Sequence, residues 1–187
     1  INLADDVQLQ VIRESFGRVL YTHKTHEKDR ERLTFLGTVS KWTNIVLSGL
    51  TFGGVIATVG TKDPFWLSIS LLLSTLSAGY AVFQLSFDPN RKAGTHRTAA
   101  KQFLVIRNQY VHLMADMKEG LLSADQVRSR RDELEKEFTD AVAVAPDTSP
   151  RAYRKAQKAL QVDEDMTFSD EELNAFLPNA LAYTKPS

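Results

Sequence analysis

The chain of 187 residues contains no cysteine. It therefore has no disulfide frame and no thiolate to serve as nucleophile or ligand. Formal net charge is zero, which argues against a nucleic-acid binder working by phosphate neutralisation. There is no His-Glu-x-x-His pair, no glycine-rich phosphate loop and no nucleophile elbow. An enzyme is not expected, nor a cofactor. Residues 1–20 carry acidic residues at positions 5, 6 and 14 and no apolar core before a cleavage site. They do not read as a signal peptide, and the start at Ile1 leaves room for a processed leader. The absence with most consequence is local. Residues 42–61 contain no Asp, Glu, Lys, Arg or His, and neither do residues 64–87.

Only Lys62 and Asp63 separate these two runs. As helices they would be roughly 30 Å and 36 Å long, against a bilayer core of about 30 Å. Trp42, Phe65 and Trp66 stand at the ends of the runs, where aromatic rings favour the headgroup layer. The runs predict a transmembrane hairpin with a very short turn. Residues 22–41 carry basic residues at 24, 28, 30, 32 and 41, and residues 88–107 at 91, 92, 97, 101 and 107. The turn offers only Lys62, offset by Asp63. The positive-inside rule then places both termini in the cytoplasm of a cell with an inner membrane.

The polar residues of the runs are ordered. Asn44, Ser48, Thr51, Val55 and Thr58 recur at alternating steps of four and three, and so do Ser70, Ser74, Ser77, Ala81 and Gln84. Polar groups in hydrocarbon need a partner or water. Two readings stay open: a helix–helix contact, or a stripe lining an aqueous path. The small-x-x-x-small pairs Gly49/Gly53 and Thr75/Gly79 favour close helix contact. Two helices enclose no water, so a path requires several copies.

Outside the hairpin the pattern is helical. Leu3, Val7, Val11, Ile12, Phe16, Val19 and Leu20 follow the 3.6-residue period, and Leu33, Leu36 and Val39 continue it. The helix can run on into the first span, with Gly37 its weak point. The charges from Lys24 to Arg32 read as a solvated face or as a juxtamembrane collar. Asp88-Pro-Asn90 ends or kinks the second span. A helix is expected from Ala93 or Thr95 to about Glu119, with Gly120 as stop. Others are expected at 124–144, opened by the Ser123/Gln126 capping box, at 150–160 behind an N-cap Ser149, and at 170–182 with Leu173, Phe176 and Leu177 apolar.

His23 and His26 lie three apart, and His96 and His112 are distant in sequence. With Glu27 the close pair could bind zinc only if a further ligand came from a distant helix, so structural histidines are expected. The run Tyr21-Thr-His-Lys-Thr-His-Glu-Lys28, followed by a short polar helix and two close spans, resembles the SLATT family. His96-Arg-Thr-Ala-Ala-Lys-Gln-Phe103, Arg107 and Tyr110 extend the resemblance, which covers about residues 7–160. Arg151-Ala-Tyr-Arg154 resembles the family's terminal region. The resemblance does not place the stretch from 161. The resemblance implies a two-transmembrane effector in bacterial antiviral defence, found beside nucleotide-generating and nucleotide-sensing proteins. Such effectors form pores or disrupt the membrane when triggered. It supplies no catalytic residues.

The expected fold is an all-α membrane protein: a two-helix transmembrane hairpin with a cytoplasmic helical bundle. Residues 1–41 form an N-terminal cytoplasmic amphipathic helix, 42–87 the hairpin (42–61 and 64–87), 88–160 cytoplasmic helices and 161–187 a C-terminal helical tail. A homo-oligomer in the inner membrane is expected, with some coiled-coil character. Its partners are the lipid bilayer and a nucleotide-sensing or nucleotide-generating protein, with no nucleic acid. Asn44, Ser48, Thr51, Thr58, Ser70, Ser74, Ser77 and Gln84 are the candidate pore-lining or interhelical stripe. Tyr21, His23, His26, Glu27 and His96 are the candidate juxtamembrane motif. The alternative functions are a membrane-anchored adaptor or scaffold without conduction and a soluble helical binding protein.

Overall fold

The structure is a computed structural model that describes residues 3–176. The part of the expected last helix beyond Phe176 lies outside the described residues. So do the side chains of Leu3, Phe176 and Leu177. Among the described residues the regular elements are α1 (Leu3–Thr61), α2 (Pro64–Ser86), α3 (Pro89–Lys118), α4 (Ala124–Val144), α5 (Pro150–Gln161) and α6 (Asp170–Phe176).

α1 is one unbroken helix of 59 residues, about 90 Å long at 1.5 Å per residue. No proline precedes Pro64, so nothing in the backbone chemistry stops it. Gly37 does not break it either. Its Cα is buried against α3, and a Cβ there would strike the side-chain amide of Asn90. The glycine leaves room for the Asn90 side chain beside α1 and makes no kink.

The turns follow from capping chemistry. Lys62 takes a left-handed φ of 57° just past α1, and Asp63 caps α2 by accepting from the Phe65 N–H at 2.9 Å. Asp88 caps α3 in the same way, accepting from Arg91 N–H at 3.0 Å. α3 therefore starts at Pro89, earlier than the Ala93 or Thr95 expected from the sequence. Proline suits the first helical position, where its missing N–H would be unpaired anyway. Gly120 ends α3 at φ 69°. The Leu121 N–H reaches Asp116 O at 3.0 Å and the Gly120 N–H reaches Met117 O at 3.2 Å, a Schellman closure. The Ser123/Gln126 box and the Ser149 cap form as the sequence predicts. Ser169 and Glu172 also cap each other at 2.8 and 3.2 Å.

α3 lies along the N-terminal half of α1, and α4 and α5 complete the bundle. Its core comprises Ile12 and Val19 of α1, Phe103, Ile106, Tyr110 and Leu113 of α3, and Val127, Leu134 and Ala141 of α4. The other half of α1 pairs with α2 as a hairpin whose outside is exposed and apolar: Trp42, Ile45, Phe52 and Val59 on α1, and Leu67, Leu71, Val82 and Leu85 on α2. Apolar surface on this scale marks contact with lipid or protein. Both helices are long and apolar enough to cross a membrane. Their open ends both return to the bundle, so the bundle helices share one side of the hairpin.

Candidate functional site

Two polar constellations lie along α1, one in the hairpin and one where it meets the bundle. In the hairpin the helices touch along positions spaced by three and four. Gly37 and Gly54 are buried and Ser40, Asn44, Leu47, Thr51 and Thr58 half-buried on α1. On α2 Ser70 is buried, and Leu73, Ser77, Tyr80 and Gln84 are half-buried. Of the stripe named from the sequence, Ser48 and Ser74 are exposed instead. The seam runs one residue earlier on each helix at those levels, through Leu47 and Leu73.

The helices are tied together near the bundle. The Gln84 amide donates to Ser40 Oγ at 2.7 Å and to Ser40 O at 3.1 Å, and Tyr80 Oη lies 2.9 Å from Ser40 Oγ. Deeper hydroxyls bond within their own helix: Thr51 to Leu47 O, Thr58 to Gly54 O, Ser70 to Trp66 O and Ser74 to Ser70 O, all at 2.8–2.9 Å. Asn44, Ser48 and Ser77 have no side-chain hydrogen bond among the described residues.

The second constellation is a buried polar joint between α1, α3 and α5. His26 Nδ1 lies 3.0 Å from His96 Nδ1, so one ring donates and the other accepts. His26 also stacks on Phe103, centroids 5.3 Å apart. His23 Nδ1–H donates to Ala100 O at 2.7 Å, which leaves its Nε2 facing Glu27 at 3.8 Å. Glu27 accepts from Lys24 at 2.7 Å. Tyr21 faces elsewhere: its hydroxyl accepts from Gln161 Nε2 at 2.7 Å, and its ring lies 5.9 Å from that of Tyr153 on α5.

Burial, then the adjacent His96, pushes His26 down to about 4, against a smaller pull from Asp29. Burial also lowers His96. Burial opposes the charge on Lys24, but hydrogen bonds to Asp165 and Glu27 outweigh it and raise its pKa. The same lysine lowers Asp165, and it lowers Glu27 despite that group's burial. Near neutral pH the His26–His96 pair is uncharged and lies beside a charged Lys24 cluster.

Sequence reasoning missed Asp29. It is 1% exposed and accepts from Ser149 N at 2.7 Å and from Ser149 Oγ at 2.8 Å. It thus holds the N-terminus of α5 against α1, with Arg32 Nε 3.4 Å away. The signal was its register. Ile12, Val19, His26 and Leu33 step by seven on the buried face, and Asp29 sits three beyond His26 on that face. Ser149, Asp165 and Gln161 act from segments whose packing on α1 no local pattern reveals.

A groove of about 390 Å³ opens beside the joint, lined by Tyr21, His26, Phe103, Phe138, Thr148 and Tyr153 among others. Among the described residues no three His, Cys, Asp or Glu side chains converge to hold a metal ion. The arrangement locks α1, α3 and α5 together through buried hydrogen bonds.

No curated protein and no solved structure matches this chain. Residues 9–172 match the family described as SMODS and SLOG-associating 2TM effector domain family 4. The match runs past Gln161 to Glu172, so it takes in the caps of α6 that the sequence resemblance left out. It spans the histidine joint, the hairpin and the bundle, and the chain belongs to the SMODS and SLOG-associating 2TM effector domain family 4.

Proposed function

We propose that the chain is the effector of a bacterial antiviral defence system of the abortive-infection type. It assembles as a homo-oligomer in the inner membrane, with both termini in the cytoplasm, and forms a pore or disrupts the bilayer on activation. The observation that carries this reading is the set of polar groups in the spans that have no partner among the described residues: Asn44, Ser48 and Ser77. Groups of this kind in hydrocarbon call for another helix or for water. Gly49 and Gly53 add support, because a Cβ at either would meet open space. The hairpin itself has no use for these glycines, and they suit the approach of a second copy. The signal would come from a nucleotide-sensing or nucleotide-generating protein, the association the family's name carries.

The test is ion flux from liposomes holding purified protein, compared with the Asn44→Leu, Gln84→Leu double variant. Flux from the parent protein that the variant loses is the expected result. Absence of flux with any nucleotide or partner added would overturn it. A second reading has its own support, since Thr51, Thr58, Ser70, Ser74 and Gln84 are all satisfied inside one chain. On that reading the hairpin only anchors an adaptor, and defence would survive its replacement by an unrelated hairpin.

A further inference from the structure

We propose that the cleft at the root of the hairpin binds the phosphodiester headgroup of one anionic phospholipid, an inference that rests on the membrane reading above. The cleft, of about 220 Å³, lies where α1 leaves the bundle and α2 hands over to α3. Gly37, Ser40, Lys41, Gln84, Phe87 and Asn90 form most of its wall. Gly37 brings α1 against α3 on one side, and the Ser40–Gln84 hydrogen bond closes the floor.

The charge around the cleft is unbalanced. Lys41 is in the wall, and Lys92 Nζ stands 4.8 Å from the centre of the Phe87 ring, which is also in the wall. Arg91 is the adjacent residue. Among the described residues none of these three cations has an ion-pair partner. The one acid of the wall, Asp88, has an oxygen already committed to the Arg91 N–H. The Asn90 amide has no hydrogen-bond partner among the described residues. A small anion with several acceptor oxygens matches this set of donors.

Position selects lipid over free phosphate. Lys41 precedes Trp42, the exposed aromatic residue that opens the first uncharged run. The cleft therefore sits at headgroup level, where basic side chains attract anionic lipid. Exposed Phe83 and Trp42 offer apolar surface to the acyl chains, which a free ion cannot use.

The test uses the full chain in detergent, with bound lipid read by native mass spectrometry after mixing with equal phosphatidylglycerol and phosphatidylcholine. Phosphatidylglycerol should be retained about tenfold more, as two basic groups at a membrane surface allow. The Lys41→Gln, Lys92→Gln variant should lose that preference. The Lys118→Gln, Lys136→Gln variant, with the same change in charge, should keep it. Excess inorganic phosphate should not displace the lipid. Equal retention of both lipids, equal loss in both variants, or displacement by phosphate would each overturn the proposal. Flotation with phosphatidylcholine vesicles separates the two readings. A chain that floats but shows no preference sinks this inference alone, and a chain that does not float sinks the membrane reading with it.

Discussion

Asp29 holds two donors from Ser149 in a place that water does not reach. Removing the carboxylate strands both donors and the nearby Arg32. Asp29→Ala should therefore cost about 3 kcal/mol, the scale for breaking a buried charged contact. Chemical unfolding in detergent, followed by circular dichroism, should show it, and exposed Asp132→Ala should change nothing measurable. The histidine pair makes a second prediction. Unfolded His26 titrates near 6.5, while folded His26 titrates at about 4. Below 6.5 the unfolded chain takes up the proton and the folded one does not. Stability is thus full above 6.5 and drains as pH falls toward 4, by up to about 3 kcal/mol. Asp29, His23 and Arg32 face the pair and set the slope together. Replacing both His26 and His96 by Gln should flatten this part of the profile, and an unchanged slope would mean that other groups carry it.

At the scale of helices, the two neighbouring glycines of α1 do different work. A Cβ on Gly54 would come within 2.5 Å of Ser70 Oγ, whereas one on Gly53 would meet nothing. Gly54→Ala should push α2 away and lower hairpin stability by about 1–3 kcal/mol, the usual cost of overpacking. Gly53→Ala should leave the single chain as stable or more so, since alanine is the better helix former. Thermal unfolding of the two variants side by side decides it. These elements were legible to different degrees. The turn between the two apolar helices could be read because only Lys62 and Asp63 part the uncharged runs, and the caps at Ser123 and Ser149 because capping is local chemistry. The rotation of each span could not be fixed. A helix apolar all round has no hydrophobic side to orient it, so the pattern through Ser48 did not show that the contact with α2 runs through Leu47. Lys24 and Asp29 misled for another reason. Their charges suggested solvent, but α5 and the segment leading to Asp165 cover them.

For the whole molecule the governing feature is that α1 belongs to both halves. Ile12, Val19 and His26 fix it in the bundle, and the same helix runs through Gly37 into the membrane span without a break. Any rotation or tilt that a partner imposes on the bundle is carried along this rod, because a helix transmits motion only while its hydrogen-bond ladder is intact. Thr38 is an exposed residue beside the cleft, at the point of handover. Proline there loses the bond to the Thr34 carbonyl and clashes with it, a defect costing about 3 kcal/mol that kinks the helix. Packing on either side of the defect keeps both halves folded. If the bundle drives the spans through α1, Thr38→Pro should abolish triggered flux while the protein still inserts into liposomes and the bundle resists protease. Thr38→Ala should retain full flux. Undiminished flux in the proline variant would mean that the spans open without the lever, through contacts between copies alone.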